Sequence, residues 1–247
     1  MSKLKILDCT LRDGGYYNNW NFSIGLINRY LKVMSDIKVD YVEIGFRSKD
    51  KKEFRGACAY TTDDFLSSLK IPKSLKIAVM INGAELIKEN NLKRNILSLN
   101  SLFRKSKFSK VKLVRIACHF SELNEVMPVA FKIKTLGYKV AINLMQISDR
   151  SEKEIQHFCN LAKEFKMDVI YFADSTGSLN RDQTQEIVKN FKKNWKTDLG
   201  IHAHDNMDKA MENAMMALSN GVNWIDSTVL GMGLSLIHIS EPTRLGM

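Results

Sequence analysis

Short runs of apolar and β-branched residues alternate along the chain with longer stretches whose apolar positions recur every three or four residues. Eight such runs stand out, at 4–11, 41–46, 76–81, 112–118, 139–145, 169–173, 199–204 and 224–230. Between them the period changes from two to 3.6. Over 151–166, Ile155, Phe158, Cys159, Ala162 and Phe165 share one stripe, and Ser151 with Glu154 makes a capping box ahead of it. Gly137 and Gly221 stand where helix C-caps belong. The basic stretch 88–112 is the least patterned and is assigned to a third helix and its exit loop. Repeated strand–helix units imply parallel strands joined by right-handed crossovers. Eight of them predict an α/β fold, a closed TIM (β/α)8 barrel. An open doubly wound sheet is the alternative, but no strand is followed by Gly-x-Gly-x-x-Gly.

The eighth unit is expected to lack its helix. After Gly233 the sequence is interrupted by Pro242 and Gly246 and carries no amphipathic stripe of helical length. Residues 235–244 resemble translated sequencing-adapter read-through. Two regions are therefore expected: a barrel domain over 1–233, and a short foreign or disordered tail over 234–247.

The 247 residues include 37 Lys and Arg against 27 Asp and Glu, a net charge of +10, with 45% hydrophobic residues. This is globular composition, not that of a disordered chain. The basic residues are scattered beside Glu and Asn on helical stretches, so no nucleic-acid partner is expected. Four cysteines without paired spacing read as buried free thiols. With no signal core and no run of about 18 apolar residues, a soluble cytoplasmic protein without membrane contact is expected.

In a barrel the chemistry sits at the C-terminal strand ends. Strand seven ends in His202-Ala203-His204, two imidazoles projecting the same way from a strand, within reach of one cation. The first run leads into Arg12-Asp13-Gly14-Gly15. Asp13 is a candidate third ligand, completing a two-histidine, one-carboxylate set. Arg12 offers fixed positive charge to a developing oxyanion, and the glycines allow a close backbone approach. Glu43 lies mid-strand among apolar residues and needs a partner, for which Arg12 is available. Arg115, His119, Asn143, Gln146, Asp174 and Ser175 are polar groups at the ends of strands four to six, suited to holding a substrate carboxylate or hydroxyl. The same short polar residues also close turns and cap helices.

At Leu7-Asp-Cys-Thr-Leu-Arg-Asp-Gly-Gly15, Glu43, His202-Ala-His204 and Asp226-Ser-Thr-Val-Leu-Gly-Met-Gly233 the chain resembles the DRE-TIM metallolyase superfamily, nearest to 4-hydroxy-2-oxovalerate aldolase-like domains. The resemblance implies a divalent metal (Mn, Mg, Zn or Co) on Asp13, His202 and His204. It implies an enolate-stabilising Arg12 oriented by Glu43, and a lyase that cleaves or forms the bond next to a 2-oxo acid such as pyruvate. One position departs. Where the valerate aldolases carry a basic His, this chain has Tyr16, so base duty falls to Tyr16, His119 or a metal-bound water. The expected catalytic set is thus Arg12, Glu43, Tyr16 and His119, with Arg115, Asn143, Gln146, Asp174 and Ser175 binding substrate. The region through which the aldolases meet a dehydrogenase partner is absent, so that partner is not expected. A homo-oligomer is compatible with the sequence. Three alternatives stand beside this reading: an isopropylmalate synthase-like enzyme condensing an acyl-CoA with a 2-oxo acid, a non-catalytic truncated fragment, and a non-haem iron oxygenase with the same ligand set.

Overall fold

In the computed structural model, residues 3–49, 54–89 and 91–231 are described. Their elements run β1 (Lys5–Asp8), α1 (Thr10–Asp13), α2 (Ile24–Asp36), β2 (Tyr41–Phe46), α3 (Asp63–Ser68), β3 (Lys76–Asn82), α4 (Gly83–Leu86), α5 (Leu92–Ser98), β4 (Val111–Cys118), α6 (Leu123–Thr135), β5 (Lys139–Leu144), α7 (Glu152–Glu164), β6 (Val169–Asp174), α8 (Arg181–Asn194), β7 (Asp198–Ala203), α9 (Ala210–Ser219) and β8 (Trp224–Ser227). The strands pair in chain order and β8 closes on β1, from Lys5 opposite Trp224 to Asp8 opposite Ser227. All pairings are parallel, which makes the molecule a TIM barrel.

Two apolar layers build it. Helix stripes pack on the outward strand residues: Ile27 and Leu31 of α2, Ile155, Phe158 and Ala162 of α7, and Val188 and Phe191 of α8. Phe191 stacks on Phe172 of β6 at 5.4 Å and meets Phe158 edge-on at 6.2 Å. Each such ring, once buried, stabilises the fold by about 1.5–3 kcal/mol. Inside the barrel, Leu7, Cys9, Tyr41, Ala78, Leu113, Ala141, Val169, Tyr171 and Trp224 form a separate apolar plug. This plug leaves the upper layer of the interior to polar groups. Gly200 of β7 makes room in it, since a Cβ there would lie 2.3 Å from the Tyr171 ring.

The local signals act as expected. Ser151 and Glu154 form the reciprocal cap of α7. Gly137 and Gly221 follow α6 and α9 with φ of +93° and +96°, a conformation in which a side chain would be strained. Two strand ends differ from the sequence reading by more than one residue. β1 stops at Asp8, and Thr10–Asp13 coil into a helical turn, because Asp8 draws in the backbone N–H and hydroxyl of Thr10. Likewise β8 stops at Ser227 and gives way to a 3-10 turn, Val229–Gly231. The expectations about an eighth helix and a foreign tail fall on residues outside those described. Among the described residues, no helix is long and apolar enough to cross a membrane.

Candidate metal centre at the barrel mouth

Cross-strand register brings the β7 histidines to β8. Gly200 pairs with Trp224, so His202 stands level with Asp226. His202 Nδ1 meets Asp226 Oδ2 at 2.7 Å, and His204 Nδ1 meets the Ser175 carbonyl at 3.0 Å. A carbonyl and a carboxylate only accept, so each Nδ1 carries the proton and each Nε2 presents a lone pair. These two Nε2 atoms face one another at 3.2 Å. Lone pairs so placed repel unless a cation or proton lies between them. Burial and the neighbouring His202 lower the His204 pKa to about 4, so its ring is neutral at pH 7, as a ligand must be.

Asp13 supplies the third donor. It is 1% exposed, and its Oδ2 has no hydrogen-bond partner among the described residues. A carboxylate oxygen held dry and unpaired costs free energy unless something positive joins it. Asp13, His202 and His204 all line one cavity of about 330 Å³. The donor set fits a divalent cation: two imidazoles held from behind through Nδ1, the His204 ring neutral, and one unpartnered carboxylate oxygen.

From this point a chain of buried charges runs down into the barrel. Arg12 Nη1 contacts Asp13, and its Nε donates to Glu43 at 2.7 Å. Glu43, fully buried, also accepts from Arg115 at 3.2 Å. Arg115 continues to Asp226, which returns to His202. Burial alone would raise the Asp226 pKa, but Arg115 and His202 hold it below the usual carboxylate range. Tyr171 floors the chain, with the Arg115 guanidinium 4.4 Å from its ring centre. Arg12 Nη2 is left buried and unpartnered.

The remaining expected residues are dispersed. Arg115 belongs to the buried chain and is 0% exposed, beneath the mouth and out of contact with solvent. Asn143 is buried, with its Oδ1 unpartnered. The two Asp174 oxygens accept from the N–H groups of Ser178 and Leu179, holding their own loop. His119 is exposed and bonds Gln146 through Nδ1 at 3.1 Å. Gln146 in turn donates its backbone N–H to the Ser175 hydroxyl. Tyr16 is half-buried, edge-on to Trp20 at 4.7 Å, and burial raises its pKa further. The exposed His157 faces Phe120 on the outer surface, 5.9 Å between rings.

Three residues gained importance over the sequence reading. Asp226 appeared there only within the motif that carries the resemblance, yet its inward direction was readable from its alternation with Trp224. Cys9 appeared only as a buried thiol, although it is two residues from inward-facing Leu7. Trp20 gave no signal. Its indole N–H donates to the Arg12 carbonyl at 2.9 Å, and its ring lies 2.0 Å from where a Gly15 Cβ would stand. Gly15 is thus required by Trp20, a different reason from the close ligand approach expected of it.

The family described as HMGL-like matches residues 3–241. A 4-hydroxy-2-oxovalerate aldolase of Brevibacillus brevis is 24% identical over 232 residues, which is 92% of this chain and 64% of that protein. A homocitrate synthase of Pyrococcus abyssi is 25% identical over 92% of this chain and 60% of its own. The chain therefore spans less than two thirds of the length of either. Among solved structures, the N-terminal domain of a candidate aldolase from Bacteroides vulgatus is 30% identical, with a TM-score of 0.78, over 99% of this chain and 81% of that one.

Proposed function

The chain belongs to the HMGL-like family, and from that premise we propose that it is a divalent-cation-dependent aldolase. It would act on the carbon–carbon bond beside a 2-oxo acid, with Asp13, His202 and His204 holding the cation. The observation that carries this reading is the pair of imidazole lone pairs facing at 3.2 Å beside an unpartnered Asp13 oxygen.

When bound, the cation supplies Lewis acidity that polarises the 2-oxo carbonyl. The chain's own residues do the rest. Arg12, whose Nη2 is buried without a partner, would supply a donor to the oxygen on which enolate charge develops. Glu43 and Arg115 hold that guanidinium in one orientation, and Asp226 holds the His202 ring; these three are positioning residues. Asn143, with its free Oδ1, is the best placed of the strand-five and strand-six residues to accept from a substrate hydroxyl. Tyr16, kept neutral by burial, offers a phenol proton, and His119 with Gln146 stands at the rim.

Pyruvate release from 4-hydroxy-2-oxo acids, followed with and without manganese, tests the reading. Metal-dependent turnover that falls by at least about 100-fold in Arg12→Ala is expected; turnover unaffected by chelation would contradict it. Tyr16→Phe and His119→Ala identify the proton-transfer group, whose loss should cost about 10²–10⁴ in kcat. Product formation that requires an acyl-CoA would favour a condensing enzyme instead; the Pyrococcus relative is named a synthase.

A further inference from the structure

Cys9 differs from the other three cysteines. Cys58, Cys118 and Cys159 are buried between strands and helices, whereas Cys9 lies inside the barrel. Its Sγ, an Asp13 carboxylate oxygen and a His202 ring nitrogen all lie within 4.8 Å of one another. The three residues are 0%, 1% and 7% exposed, and they line the same cavity. Among the described residues no other three such side chains, Asp13 with both histidines included, bring their donor atoms this close together. The thiol makes one weak contact, to the Ser227 carbonyl at 3.4 Å, which leaves the sulfur lone pairs uncommitted. A second, independent sign points to the same spot: Asp13 Oδ2 is buried there without a partner.

We propose that Cys9 is a further ligand at this centre, making a donor set of one sulfur, two nitrogens and one oxygen that favours a thiophilic cation (zinc, cobalt or ferrous iron) over manganese or magnesium. The inference rests on the reading of Asp13 and His202 as ligands. Softness decides the preference: thiolate sulfur binds the later first-row ions well, while magnesium and manganese prefer carboxylate, carbonyl and water. The step is a simple exchange. The S–H bond breaks, a sulfur–cation bond forms with the sulfur's electron pair, and the proton passes to solvent; nothing is oxidised or reduced. Binding should therefore release one more proton than two imidazoles and a carboxylate would.

The test is a cobalt(II) titration of the full chain, followed by absorption, with zinc and manganese affinities measured by calorimetry. The cobalt-loaded protein should show a near-ultraviolet thiolate-to-cobalt charge-transfer band that Cys9→Ser abolishes and Cys118→Ser retains. Cys9→Ser should also weaken zinc at least about tenfold while leaving manganese nearly unchanged, since even an outer partner of a metal ligand is worth that much. A cobalt-loaded wild-type protein without the band overturns the proposal whether or not any variant folds, and leaves the Asp13, His202 and His204 reading standing. A wild-type protein that binds none of the three ions overturns both.

Discussion

Two sets of polar side chains crown this barrel, and they differ in what their atoms are doing. Arg12, Asp13, Glu43, Arg115, His202 and Asp226 are nearly dry and linked head to tail. Even so, Arg12 Nη2 and Asp13 Oδ2 are left without partners. Over β4 to β6, His119 and Gln146 are exposed and bond one another, and Asp174 braces its own loop. Residue type does not separate the two sets, since both contain histidine and carboxylate. Burial combined with an unsatisfied valence does. Such atoms are costly to hold unless a ligand repays them, so they mark a site more reliably than a polar strand end does.

Arg115→Met should break the contrast most severely. It leaves Glu43 and Asp226 as uncompensated buried charges, at a cost of about 3–5 kcal/mol in denaturant unfolding. A loss below 1 kcal/mol would mean that the chain of charges does not hold the interior together.

Asp8 comes next. Burial raises its carboxyl to about 6 despite hydrogen bonds from Tyr30 and Thr10. An acid with a raised folded pKa costs nothing below its unfolded value of 3.8, and its full penalty is present above about 6. In the metal-free protein, Asp8→Asn should thus gain on the wild type by about 2 kcal/mol as pH rises from 4 to 7. A stability difference that stays flat over this window would contradict the burial argument.

Asp226→Asn leaves the ligands in place but weakens the brace on His202, and metal affinity should fall about 10–100-fold by calorimetry. The smallest effects belong to the rim. Asp174→Asn should cost about 1–2 kcal/mol of stability, the range for one compromised hydrogen bond, and leave metal affinity unchanged. A rim variant that loses metal binding would erase the distinction between the sets.

Much of this was legible in the chain. The eight runs found the eight strands because parallel barrel strands are buried on both faces and read as continuous apolar segments. The alternation of His202 and His204 placed both rings on one side of β7. Arg12 with Glu43 was foreseeable because a carboxylate inside an apolar strand needs a cation. The turn at Thr10–Asp13 was not, since apolar Leu11 extends the strand pattern while Asp8 reverses it through local hydrogen bonds. Nor was the place of Arg115. Spacing sets the face of a strand but not the depth at which a long side chain finds its partners.

The claim at the centre is one cation between α1 and the end of β7, and anomalous diffraction from crystals grown with manganese or cobalt tests it most directly. The account predicts a single strong peak about 2.0–2.2 Å from Asp13 Oδ2 and the Nε2 atoms of His202 and His204. A map without density there, or with its peak over the His119–Gln146 rim, would contradict it.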